Sequence, residues 1–358
     1  MSYGFLLSAT TLIGMLAIVL PGTACSHLPP GRTGFTPPVE LAHRLRADVQ
    51  HLAGEIGERN LYHPEKLAKA ADWIEAAFKR MGYQTVRRQP VFVRGKDYAL
   101  PADVTAWNIE AVLPGKTRAD EQLVIGAHYD SKVAMPRWNA HWPPMPMRPG
   151  TPGANDNGSG VATVLALARR FVGHPQARTL RFVAFVNEEP PFYQTDAMGS
   201  LAYARNLQRE GRQKVRMITP ETLGCYSARP HAKRAGTALL LASILELPER
   251  SDYISFSGNW GSWRWLETSA RRFALHSALE VRTVALPAVA KKVAWSDDWS
   301  FWQCGYPAFA VSDTAYLRSD QYHEVYDTPE KLDYRPMAQV VWALGDMVAD
   351  AANNPVRW

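Results

Sequence analysis

The chain has 358 residues, enough for one large domain or two small ones, and its 46% hydrophobic and 21% charged residues are ordinary for a globular protein. The net charge of +6 comes without a Lys/Arg run or a nucleic-acid motif, which argues against a nucleic-acid partner. Three cysteines exclude a disulfide framework.

Residues 4–20, GFLLSATTLIGMLAIVL, carry no charge and are followed by Pro21, Gly22 and the small residues around Ala24. Residues 1–25 therefore read as a signal peptide or an N-terminal membrane anchor, with Cys25 a candidate for lipid attachment. The expected location is exported, periplasmic or extracellular. Residues 26–36 read as a linker and 37–358 as a single domain. Cys225 and Cys304 either pair in an oxidising compartment or sit apart as small buried hydrophobes.

Helical spacing of Leu41, Leu45, Val49 and Leu52 opens the domain. A second helix over 63–82 has the stripe Leu67, Ala71, Ile74, Phe78 and ends at Gly82 as C-terminal cap. Strands are predicted over 83–93 and 106–115, then over the apolar run 122–131, QLVIGAHYDS. Residues 134–153, rich in Pro, Trp and Met, form a long loop. Its Trp138, His141 and Trp142 read as a pocket wall or as plain loop packing. Helices follow over 159–171 and 199–209, strands over 179–189 and 214–224. A short helix over 296–305, a strand over 306–313 and a helix over 335–352 close the chain. Buried strands alternating with amphipathic helices mean an α/β fold: a mixed, mostly parallel central sheet with helices on both faces.

In such a sheet chemistry gathers where strands end. His128 and Asp130 follow LVIGA, two apart on an extended chain. Asp156 stands in GANDNGSG before a helix. Glu188 and Glu189 follow the apolar run FVAFVN, and Glu221 and His323 also leave apolar segments. Any one of these has a bland reading, such as a helix cap for Asp156. Together they suit a metal. Two glutamates side by side at a buried strand end repel, and a divalent cation offsets that. Neighbours on a strand face opposite ways, so Glu189 reads as a metal ligand and Glu188 as a general base.

The ordered set HYD, GANDNGSG, NEEPPFYQTDAMGS, a carboxylate before LG, and YHEVYDT resembles the two-zinc aminopeptidase family, whose relatives include glutamate carboxypeptidase and glutaminyl cyclase. The resemblance runs from about residue 40 to the C-terminus. It implies a zinc-exopeptidase fold and a zinc peptidase domain over 37–358. It implies two zinc ions bridged by Asp156, with His128 and Glu221 completing one site and Glu189 and His323 the other. It implies Glu188 as the base and Asp130 as the carboxylate that orients the His128 imidazole. The Asp156–Asn157 peptide would be cis. The expected substrate is a peptide with a free N-terminus. The alternatives are a glutaminyl-cyclase-like acyl transferase and a non-catalytic binding module on the same fold. Two positions depart from the family pattern. Glu221 stands where the best-known members have Asp, and Asp298 stands where many have His, which predicts altered substrate contacts.

Overall fold

The computed structural model describes residues 24–31, 36–133, 150–227, 249–287 and 296–354. Residues 4–20 and the loop residues Trp138, His141 and Trp142 lie outside these.

Nine strands form one sheet in the order β1-β8-β7-β9-β6-β4-β5-β3-β2. They are β1 (Ala24–Leu28), β2 (Thr85–Val93), β3 (Val104–Leu113), β4 (Arg118–His128), β5 (Arg178–Phe185), β6 (Val215–Pro220), β7 (Tyr253–Asn259), β8 (Glu280–Leu286) and β9 (Ala308–Ser312). The expected parallel character holds in the centre, where β5, β4, β6 and β9 run in one direction. Outside it the sheet is mixed: β3 and β2 add antiparallel on one side, and β7 meets β9 antiparallel on the other.

Side-chain alternation along the central strands builds two cores. Leu123 and Ile125 of β4 and Phe182 and Ala184 of β5 enter the larger one. Val124, Val183 and Phe185 enter the smaller one on the opposite face. The larger core is covered by α1 (Val39–Val49), α2 (Pro64–Met81), α3 (Gly160–Phe171), α5 (Trp263–His276) and α8 (Tyr334–Asn353). The smaller is covered by α4 (Gly199–Arg209) and α6 (Asp298–Gln303). A four-residue helix, α7 (Ala315–Arg318), follows β9.

The local rules hold where the sequence applied them. Helix α2 starts on Pro64, buries Leu67, Ala71, Ile74 and Phe78, and ends at Gly82 with φ 98°.

Three expectations change. The stretch read as the end of a leader and the start of a linker holds β1, which pairs with β8 from Ala24–Ala285 to Leu28–Val281 and covers its edge. β5 ends at Phe185, and Asn187 has φ 60°, so the two glutamates lie in the turn beyond the strand. Residues 253–286, assigned no element from the sequence, form β7, α5 and β8. Among the described residues no helix is long and apolar enough to cross a membrane. No disulfide joins Cys25, Cys225 and Cys304.

Candidate metal centre

The parallel strands β4, β5, β6 and β9 deliver their C-terminal ends to one edge, where the candidate residues meet. His128 is the last residue of β4, and Glu221 follows β6 directly. Asp156 sits in an irregular turn ahead of α3, with φ −110° and ψ 96°, and its peptide bond to Asn157 is cis, as expected.

Asp156 lies between the two histidines. Its Oδ1 is 3.3 Å from His128 Nε2 and its Oδ2 is 2.9 Å from His323 Nε2. Glu221 Oε2 stands 3.5 Å from His128 Nε2, and Glu189 Oε1 stands 3.4 Å from His323 Nε2. Two groups of potential metal ligands result, His128–Asp156–Glu221 and Asp156–Glu189–His323, with Asp156 common to both. Glu188 Oε2 is 3.7 Å from His128 Nε2, outside both groups. Every site residue predicted from the sequence is therefore brought to this place. All are buried except His323, whose side chain is 26% exposed and so marks the open side. The Tyr322 ring stacks on His323 with centroids 3.8 Å apart.

Hydrogen bonds hold the carboxylates. The backbone N–H groups of Asn155 and Asp156 donate to Asp327 Oδ1 and Oδ2 at 2.7 and 3.0 Å. Asn157 Nδ2 and Ser296 Oγ each donate to Glu221 Oε2 at 2.8 Å, so the longer arm of Glu221 has its own supports. Asp130, expected to orient the His128 imidazole, stands beside it and also serves the main chain. Its Oδ1 is 3.7 Å from His128 Nδ1, whose nearer partner is the Asp130 backbone carbonyl at 3.1 Å. The carboxylate also accepts the backbone N–H groups of Glu188 and Glu189, both at 3.1 Å.

The electrostatics follow from burial and crowding. Desolvation pushes the Glu188 carboxyl well above its usual range, against the pull of His128. Desolvation lifts Glu221 to about 7, partly opposed by His128. Burial works against the charged histidines, yet the carboxylates win: Glu188 foremost holds His128 well above 6.5, and Glu189 foremost holds His323 at about 9. Asp156 is buried too, but the two histidines drive it below the ordinary carboxylate range.

The donors fit zinc. They are imidazole nitrogens and carboxylate oxygens, a set that suits it. Glu189 Oε1 is buried and, among the described residues, has no hydrogen-bond partner beyond the His323 Nε2 contact at 3.4 Å, which leaves it open to a metal.

Sequence reasoning missed Asp327, Asn157 and Ser296 as supports. Asp327 stands inside the motif YHEVYDT, and its acceptor role becomes visible only once the turn before α3 is folded against it. Asp298, expected at a substrate contact, is fully buried in the field of Asp297 and Glu221, and burial pushes it well above the usual carboxylate range. None of the four oxygens of Asp297 and Asp298 has a hydrogen-bond partner among the described residues.

Comparison with known proteins gives the same picture. The model of peptidase family M28 matches residues 108–348. The chain is 30% identical over 307 residues to YfbL of Escherichia coli (strain K12), described as uncharacterized, covering 86% of this chain and 87% of that protein. A probable zinc metalloprotease of Pyricularia oryzae is 28% identical over 200 residues, and the match spans only 38% of its length. Among solved structures, a zinc aminopeptidase from Bacillus subtilis superposes with a TM-score of 0.62 at 14% identity, over 88% of this chain and 96% of that one. A glutaminyl cyclase from an Acidobacteriales bacterium does so with a TM-score of 0.61 at 16% identity, over 90% and 98%. At these identities the superpositions establish the fold alone.

Proposed function

The chain belongs to peptidase family M28, and we propose that it removes N-terminal residues from peptides, as a two-zinc aminopeptidase. The observation that carries this reading is Asp156, whose two oxygens face the Nε2 atoms of two different histidines. One carboxylate shared by two ligand groups is what a bridged pair of ions requires. His128, Asp156 and Glu221 would hold one zinc, and Asp156, Glu189 and His323 the other. Zinc bound there supplies Lewis acidity, which lowers the pKa of water toward 7 and polarises a carbonyl.

The chain's own residues supply the proton chemistry. Glu188 stands beside both ligand groups without belonging to either. Its raised affinity for protons suits a group that takes a proton from water and returns it to the leaving amine. Asp130 fixes the main chain beneath it. The carboxylates of Asp156 and Glu189 beside the partly exposed His323 give this open side an acidic character that suits an ammonium group, hence a free N-terminus.

A glutaminyl-cyclase-like reading shares the fold, and product analysis separates the two. The complete ligand set and the intact base count against a binding module. The apolar, uncharged residues 4–20 support export to the periplasm or beyond, as a cleaved leader or as an N-terminal anchor. Metal analysis tests the central assignment. Two zinc ions per chain are expected, and a chain that retains none after dialysis against zinc would refute it.

A further inference from the structure

We propose that Arg59 is a positioning residue for the metal centre: it sets the distance between the strand end that carries His128 and the loop that carries Asp156. The inference rests on the ligand assignment above. Arg59 lies between the helical run that ends at Ile56 and α2, and it is 0% exposed. Its guanidinium donates to five backbone carbonyls. Nε reaches Tyr129 O at 2.6 Å. Nη1 reaches Leu52 O at 3.3 Å, Gly57 O at 3.1 Å and Pro152 O at 2.5 Å, and Nη2 reaches Gly153 O at 2.9 Å. Tyr129 separates His128 from Asp130, and Gly153 precedes Asp156 by three residues. One planar group therefore ties the two ligand-bearing segments to the same point, at spacings its rigid fork dictates.

The main chain repeats the tie. Arg59 N donates to Ser131 Oγ at 3.0 Å, Ser131 N donates to Arg59 O at 2.9 Å, and Ser131 Oγ donates to Thr151 O at 3.0 Å. The loop has no slack at this place. Gly153 has φ 63°, and a Cβ there would come within 2.5 Å of Asp156 O and 2.7 Å of Ser131 Cβ. The buried charge also has a direction. No carboxylate among the described residues forms an ion pair with Arg59, and the negative groups that bear on it are Asp130, Asp327, Asp156 and Glu189. These are the ligands and supports of the metal centre.

The test uses the full chain with Arg59→Lys, which keeps a positive charge and loses the fork. Zinc affinity is read by chelator competition, and ligand geometry by the visible spectrum of the cobalt-substituted protein. The inference expects zinc affinity to fall about 10–100-fold, the cobalt spectrum to change, and kcat to fall with KM nearly unchanged. A folded Arg59→Lys protein with the wild-type cobalt spectrum and zinc affinity overturns it. Should Arg59→Lys fail to fold, Ser131→Ala removes the smaller tie and is read in the same way: a changed spectrum supports the inference and an unchanged one overturns it. A wild-type chain that takes up no zinc overturns the ligand assignment and this inference together. Zinc uptake by the wild type with an unmoved variant spectrum overturns this inference alone.

Discussion

Asp130 Oδ1 accepts a hydrogen bond from the backbone N–H of Glu188 at 3.1 Å, and Oδ2 accepts one from the next residue, Glu189, at the same distance. One carboxylate thus fixes the turn that presents both glutamates, and it does so through the main chain. The side chains then diverge, Glu188 toward His128 and Glu189 toward His323. Adjacent like charges coexist here because they serve different partners and share an anchor. Asp130→Asn leaves one N–H facing an amide NH2 or unpaired. It should lower kcat about 10–100-fold while the chain stays folded, as steady-state kinetics and circular dichroism would show. Unchanged kcat would mean that the anchor has no bearing on catalysis.

Glu188→Gln keeps the shape of the base and removes its basicity. Turnover should fall by about 10²–10⁴-fold or more, with zinc content unchanged, because Glu188 stands outside both ligand groups. Metal analysis beside the rate measurement separates the two effects. Loss of zinc in this variant would make Glu188 a ligand.

His323→Ala should cost one zinc ion and leave the other on His128, Asp156 and Glu221. Asp156→Asn should weaken both, since Asp156 is common to the two groups. Equal zinc loss in the two variants would argue against separate sites.

Much of this site was legible in the sequence because metal ligands are constrained in type and in order along the chain. His128, Glu189 and Glu221 each stand just beyond an apolar run, where an α/β sheet gathers strand ends at one edge, while Asp156 and His323 were legible from the motifs GANDNGSG and YHEVYDT. The supports were not legible. Arg59 lies far from the ligands in sequence and acts through carbonyl groups, which leave no trace in residue type. The turn at Asn187 was hidden because FVAFVNEE reads as an unbroken strand, and only φ 60° at Asn187 ends it before the glutamates. Residues 253–286 escaped because YISFSGN carries four polar or small residues among its apolar ones, although five of its seven positions are buried against α5 and the neighbouring strands.

The metal-free chain should lose stability as pH rises, the reverse of ordinary acid denaturation. Burial raises Glu221, Asp297 and Asp327 to about 7 and Asp313 to about 6. The folded state therefore binds more protons than the unfolded state above the ordinary carboxylate range, and stability declines from about pH 4 to about pH 7. His323, held at about 9, acts in the same sense: its contribution is present below the unfolded histidine value and is lost as pH rises toward 9. Zinc should suppress the decline by neutralising the ligand carboxylates. Melting temperatures at pH 5 and pH 8, with chelator and with zinc, check this. A metal-free chain more stable at pH 8 would contradict it.

The most direct test of the account is the product formed from matched peptides with free and acetylated N-termini, with and without a chelator, followed by mass spectrometry. The account predicts loss of one residue at a time from free N-termini alone, abolished by chelator and restored by zinc. Ammonia release from N-terminal glutamine without chain shortening, or cleavage that persists in chelator, would contradict it.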